Sequence, residues 1–187
     1  MTGIPASLGI QSEKDELIDY AVDAGENLYA VGSTDKIGRI AAVNLENGKI
    51  LWDKTYDATD EFCSVMVAPD NVYLLAGNRN GILYKLDTKT GEILKEIVLL
   101  EEGETRPITN DYSVLNLAFS PDGKDYAATI NPKAYLLKAG TDVIFHTSTP
   151  ADKLVSKIAF SPDDQFFATS DIRQSYPIKI WKIPQDK

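Results

Sequence analysis

Cysteine and histidine are nearly missing from this 187-residue chain, which holds one of each, Cys63 and His146. A lone cysteine forms neither an internal disulfide nor a multi-cysteine metal site, which excludes a disulfide scaffold and fits a reducing compartment. Its neighbours in FCSVMV mark it as a small buried side chain rather than a nucleophile. Basic charge is scarce too: 19 Lys plus Arg stand against 28 Asp plus Glu, a formal net charge of −9. So acidic a surface repels phosphate backbones, and direct nucleic-acid binding is not expected. No apolar run approaches the roughly 20 residues that cross a bilayer as a helix. The opening MTGIPASLGIQSEKDE has no early Lys or Arg ahead of an apolar core, as a secretory leader requires. Together these absences predict a cytoplasmic chain with no membrane partner. A sustained 3.6-residue apolar period is also missing, which argues against helices.

What the chain does have is 43% hydrophobic residues, enough to bury a sizeable core, and an internal repeat. Four segments begin with an alternating apolar run, turn at Asp, Asn, Pro or Gly, and enter a second run: LIDYAVDAGENLYAVGS from Leu17, FCSVMVAPDNVYLLAGN from Phe62, VLNLAFSPDGKDYAATI from Val114 and VSKIAFSPDDQFFATSD from Val155. A third run follows in each: RIAAVNL from Arg39, ILYKLD from Ile82, AYLLKA from Ala134 and IKIWKI from Ile178. After ENGK, TKTGE and AGTD, the first three units add a fourth: ILWDKTY from Ile50, ILKEIVL from Ile93 and VIFHT from Val143. Runs this short, rich in branched and aromatic residues and bounded by turn formers, are strands. Units of about 40 to 50 residues that cannot hide both faces alone must stack. The predicted fold is all-β, a β-propeller of about four blades of four-stranded antiparallel sheet. The blades fall at 17–56, 62–99, 113–148 and 154–187, with 1–16 as an N-terminal extension or closing strand.

The residues resemble known repeat families. IAAVNLENGKILWDKTY (Ile40 to Tyr56) and ILYKLDTKTGEILKEI (Ile82 to Ile97) are similar to the quinoprotein-type propeller repeat. LAFSPDGKDYAAT (Leu117 to Thr129) and IAFSPDDQFFATSD (Ile158 to Asp171), with IKIWKI, resemble WD-repeat units. No unit carries the Gly-His dipeptide of the WD family, and Lys182 follows Trp181 where that family has Asp. The resemblance therefore implies the propeller scaffold without the WD family's His-to-Asp network. A quinoprotein dehydrogenase would bring paired adjacent cysteines and carboxylate-held calcium in a much longer chain, and this chain has one cysteine.

The remaining catalytic candidates read as structural. His146 ends a strand in VIFHTS, Asp163 and Asp164 occupy a Pro-Asp turn, and the acidic EEGE at Glu101 to Glu104 reads with Asp57, Asp60 and Glu61 as solvated loop. Asn78 to Gly81 form a turn without phosphate-cradle spacing. No catalytic residue, metal ligand or cofactor is expected. Function in such a fold sits on its loops. The two longest are LEEGETRPITNDY (Leu100 to Tyr112) and DIRQSYP (Asp171 to Pro177), whose Arg106, Tyr112, Arg173 and Tyr176 are interface-type side chains.

Unit four reaches Ile183 with three runs, which leaves a strand edge to be covered. Leu17, Tyr20, Trp181 and Ile183 are the expected outward apolar residues of units one and four, and hence the expected assembly interface. The function expected is a non-catalytic protein-interaction scaffold, a half-propeller completed by a second copy or another subunit. The alternative is a small closed propeller binding a small ligand or ion in its central channel.

Overall fold

The computed structural model describes residues 15–34, 37–56, 61–99, 113–130, 132–148, 155–170 and 178–184. Among them every regular element is a strand. Sheet one holds β1 (Asp15–Val22), β2 (Asn27–Thr34), β3 (Ile37–Asn44) and β4 (Ile50–Thr55). Sheet two holds β5 (Phe62–Val67), β6 (Tyr73–Asn78), β7 (Ile82–Asp87) and β8 (Ile93–Val98). Sheet three holds β9 (Val114–Phe119), β10 (Asp125–Ile130), β11 (Lys133–Lys138) and β12 (Ile144–Ser148). Sheet four has three strands, β13 (Lys157–Phe160), β14 (Phe166–Ser170) and β15 (Ile178–Lys182). Each is an antiparallel meander in chain order. The first strand begins at Asp15, so Asp15 and Glu16 belong to sheet one and not to an extension before it.

The turns follow from local chemistry. Asp87 accepts from the backbone N–H groups of Lys89 and Thr90 through Oδ1, at 2.9 and 2.8 Å, and Gly91 closes that hairpin at φ 67°. Asp142 and Asp164 take the same left-handed region at φ 60° and 53°, which short polar side chains tolerate. In each sheet one backbone bond ties the residue after the third strand to the first turn: Leu45 N–H to Glu26 O, Thr88 N–H to Val72 O, Ala139 N–H to Lys124 O and Ile183 N–H to Gln165 O.

Three apolar layers fill the gaps between successive sheets. Tyr29, Ile40 and Trp52 of sheet one meet Phe62, Leu74 and Tyr84 of sheet two. Leu75, Leu83 and Leu99 meet Leu117, Tyr126 and Tyr135 of sheet three. Ala127 and Leu136 meet Ile158, Phe167 and Ile183 of sheet four. The first strands β1, β5, β9 and β13 lie beside one another in that order, as the inner strands of adjoining blades do. No comparable packing among the described residues joins sheet one to sheet four. Among the described residues the four sheets form an open arc, which favours a partial propeller over the closed ring that a central-channel ligand site requires.

Close packing between blades leaves little slack. A Cβ added at Gly77 would lie 2.4 Å from Val114 Cβ, across the second junction. Gly77→Ala is expected to cost about 1–3 kcal/mol by overpacking, read as a lower urea midpoint with unchanged slope. An unchanged midpoint would mean that sheets two and three are not in contact there.

Candidate interaction faces

The strand pairing places equivalent residues of the four sheets in register. Tyr20 pairs Ala30 in sheet one, Val65 pairs Ala76 in sheet two, Leu117 pairs Ala128 in sheet three and Ile158 pairs Thr169 in sheet four. Val65, Leu117 and Ile158 are buried against the preceding sheet, whereas Tyr20 is 63% exposed. Leu17 follows the same rule: Phe62 and Val114 take its place beyond the same one-residue bulge and are fully buried, and Leu17 is 50% exposed. Ala30, Ala41 and Val43 behind β1 are buried, so the open surface runs along β1 rather than across the whole sheet.

The far side of sheet four shows the converse. Ile180 pairs Ala168 as Leu136 pairs Ala127, and Ile178 pairs Ser170 as Ala134 pairs Thr129. Leu136 and Ala134 are fully buried, but Ile180 is 74% and Ile178 66% exposed. Trp181 and Ile183 lie on the opposite side of β15. Trp181 stacks on Phe167 at 6.0 Å with 11° between the rings, and Ile183 is buried in the third apolar layer. Strand alternation thus makes Ile178 and Ile180 the outward residues of unit four in place of Trp181 and Ile183. Both parities of IKIWKI carry apolar residues, which is why the expectation from sequence fell on Trp181 and Ile183, the inward side.

Polar groups lock each junction at one register position. Asp19 Oδ2 accepts from Val65 N–H at 3.0 Å, Ser64 Oγ donates to Val114 O at 2.6 Å, and Asn116 Oδ1 accepts from Ile158 N–H at 3.0 Å. The equivalent residue of sheet four is Lys157, paired to Ser170 and exposed. A second set of clamps lies at the outer strands. Trp52 Nε1 donates to Thr88 O at 2.8 Å, and Tyr56 OH to Gly91 O at 3.0 Å. One junction on, Lys85 and Lys95 reach Ala139 O and Thr141 O at 3.2 and 3.1 Å, and both meet Asp142. In the series Trp52, Lys95, His146, set by pairing to Ala42, Lys85 and Leu136, His146 meets Phe167 edge-on at 5.9 Å. Desolvation by burial lowers its pKa.

Arg106, Tyr112, Arg173 and Tyr176 lie outside the described residues, as do Asp57, Asp60 and Glu101 to Glu104. Among the described residues no group of three His, Cys, Asp or Glu side chains is placed to hold a metal ion, and no helix is long and apolar enough to cross a membrane.

Asp163 and Asp164 do not act as a pair. Hydrogen bonds from the Ser161 side chain and the Gln165 backbone hold Asp163 below the usual carboxylate range. Asp164 is raised by burial and by the Asp122 carboxylate, and its Oδ1 has no hydrogen-bond partner. A raised folded pKa costs stability above that pKa, and the cost disappears as pH falls below the unfolded value near 4. Asp164→Asn, which suits φ 53°, should therefore raise Tm at pH 7 and leave it unchanged near pH 3. Equal Tm at pH 7 would show that solvent already relieves the site.

Repeated sheets stacked through their inner strands, open at both ends, define an arc of a β-propeller. The repeat family described as "Outer membrane protein assembly factor BamB" matches residues 15–110 and, overlapping, 36–133. The chain belongs to that family. The β-propeller domain of Myceliophteria thermophila Cps50 (Swd1) is similar at TM-score 0.69 and 17% identity, over 91% of this chain and 55% of that one. A chain of the Mitotic Checkpoint Complex is similar at 0.70 and 13%, over 90% and 47%. Saccharomyces cerevisiae Sqt1 follows at 0.66 and 19%, over 80% and 41%. The chain spans about half the length of these solved chains. No curated protein sequence matches.

Proposed function

We propose that the chain is a non-catalytic protein-interaction scaffold, an arc of blades that assembles through its end faces with another copy or subunit. The longer connections would present Arg106, Tyr112, Arg173 and Tyr176 to a protein partner. One observation supports this above the others: residues buried at every internal junction have exposed equivalents at both ends, on β1 and on β15. Exposed contiguous apolar surface of this kind marks an interaction site. The solved propellers similar to it include a component of the Mitotic Checkpoint Complex, which accords with a scaffold role.

The test is capture of partners by the purified chain, identified by mass spectrometry, against a variant with Arg106, Tyr112, Arg173 and Tyr176 changed to alanine. Capture should fall at least tenfold while the far-ultraviolet spectrum is kept. His146→Gln should capture as the parent does. Undiminished capture by the fourfold variant would remove the loops from the reading, and loss with His146→Gln, fold intact, would reopen a catalytic role.

A further inference from the structure

The geometry points to a second copy of this chain as the occupant of both end faces, with β1 of each copy seated on sheet four of the other to close one ring. This rests on the scaffold reading and names its partner.

The two ends are different kinds of surface. The face along β1 carries the residues that, in sheets two to four, press against the preceding blade. The face on sheet four carries those that, in sheets one to three, receive the following blade. A surface of the first kind fits one of the second and not its own copy, so the contact is head to tail. At the first junction Phe62, equivalent to Leu17, lies in the same apolar cluster as Ile40 and Ala42. Ile178 and Ile180 stand where Ile40 and Ala42 do in sheet one, paired through β14 as those are through β2. The same packing carried to the ends brings Leu17 and Tyr20 of one copy onto Ile178 and Ile180 of the other.

Lys157 selects the partner. The lock residues Asp19 and Asn116 accept, and Ser64 donates to the carbonyl of Val114. A lysine ammonium only donates, so Lys157 needs an acceptor where Ser64 finds Val114 O. The position equivalent to Val114 is Leu17, and it follows Asp15 and Glu16 in the acidic strand DELIDYAV. The β1 strand of a second copy supplies both the carbonyl and negative charge. Two arcs of four sheets give eight blades, within the usual range of about 4 to 8. The arc follows the fold of solved propellers over about half their length.

Native mass spectrometry and sedimentation at micromolar concentration test this with two variants, Tyr20→Asp and Ile180→Asp, both at exposed positions that leave the fold intact by circular dichroism. The parent should run at twice 20.6 kDa, and each variant alone as monomer, because each damages both junctions of its own pair. Mixed together, the two variants should regain a heterodimer, since one of its junctions joins an unaltered β1 to an unaltered sheet four. Lys157→Glu should weaken the parent pair at least tenfold and reverse its salt dependence, since added salt then screens a repulsion. A parent that is monomeric overturns the second copy, and capture of a different protein through the same residues would then leave the scaffold reading standing. A dimer broken by Ile180→Asp but not by Tyr20→Asp, or no recovery on mixing, overturns the head-to-tail contact. Open-ended oligomers overturn the closed ring.

Discussion

Asp142→Asn is expected to lower the unfolding free energy by about 3–5 kcal/mol, the usual cost of removing one partner from a buried ion pair. The Asp142 side chain is 5% exposed and faces Lys85 Nζ at 3.3 Å and Lys95 Nζ at 3.0 Å. It also accepts from Tyr126 OH at 3.1 Å. Burial first, and then the Asp142 charge, raise the Tyr126 pKa well above its usual value. Burial, with Asp70 and Asp142, pushes Tyr73 up to about 12. Lys85 lies 4.0 Å from the centre of the Tyr73 ring, so without the carboxylate its charge is left in an apolar junction. Asparagine tolerates φ 60° as aspartate does, and the substitution removes charge without straining the turn. Lys95→Ala, which removes the more exposed cation, should cost no more than about 1 kcal/mol. Urea unfolding at pH 7 reads both. A loss below about 1 kcal/mol for Asp142→Asn would mean that water reaches this junction.

Phe62→Ala is expected to cost about 3–5 kcal/mol, as deletion of a fully buried aromatic ring does. Phe62 meets Tyr56 edge-on at 5.2 Å and Tyr84 at 5.6 Å, and its removal opens the first junction on both sides. Leu17→Ala removes the side chain at the same register position, where it is half exposed. Its effect should stay within about 0.5 kcal/mol, the usual range for surface substitutions. Equal costs for the two, measured in dilute solution, would show that β1 is covered by the chain itself.

The strands and their order were legible in the sequence because each run alternates and each turn carries its own chemistry. SPDG, TKTG and APDN position Asp and Gly where the backbone needs them, and the three-stranded end of the repeat could be counted. Side-chain direction was less legible. The bulges at Ile18, Cys63 and Leu115 shift alternation by one residue, so that Leu17 and Tyr20, three apart, share a face. Nothing in a linear pattern marks a bulge. In IKIWKI both faces are apolar, and only the pairing of Phe167 with Trp181 fixes which one meets sheet three. The Asp142 clamp joins residues 57 and 47 positions apart, a distance across which a single sequence carries no signal. The lock at Asp19, Ser64, Asn116 and Lys157 uses four different residue types and becomes visible only once the sheets are in register.

Hydrogen exchange followed by mass spectrometry on the dilute chain tests the open arc most directly. The peptides 15–22 and 62–67 are both first strands of a sheet, each paired on one side only, so they differ chiefly in what covers them. The account predicts that 15–22 exchanges at least tenfold faster than 62–67. Equal protection of the two in the dilute single chain would contradict it, because the β1 end would then be as covered as the junctions.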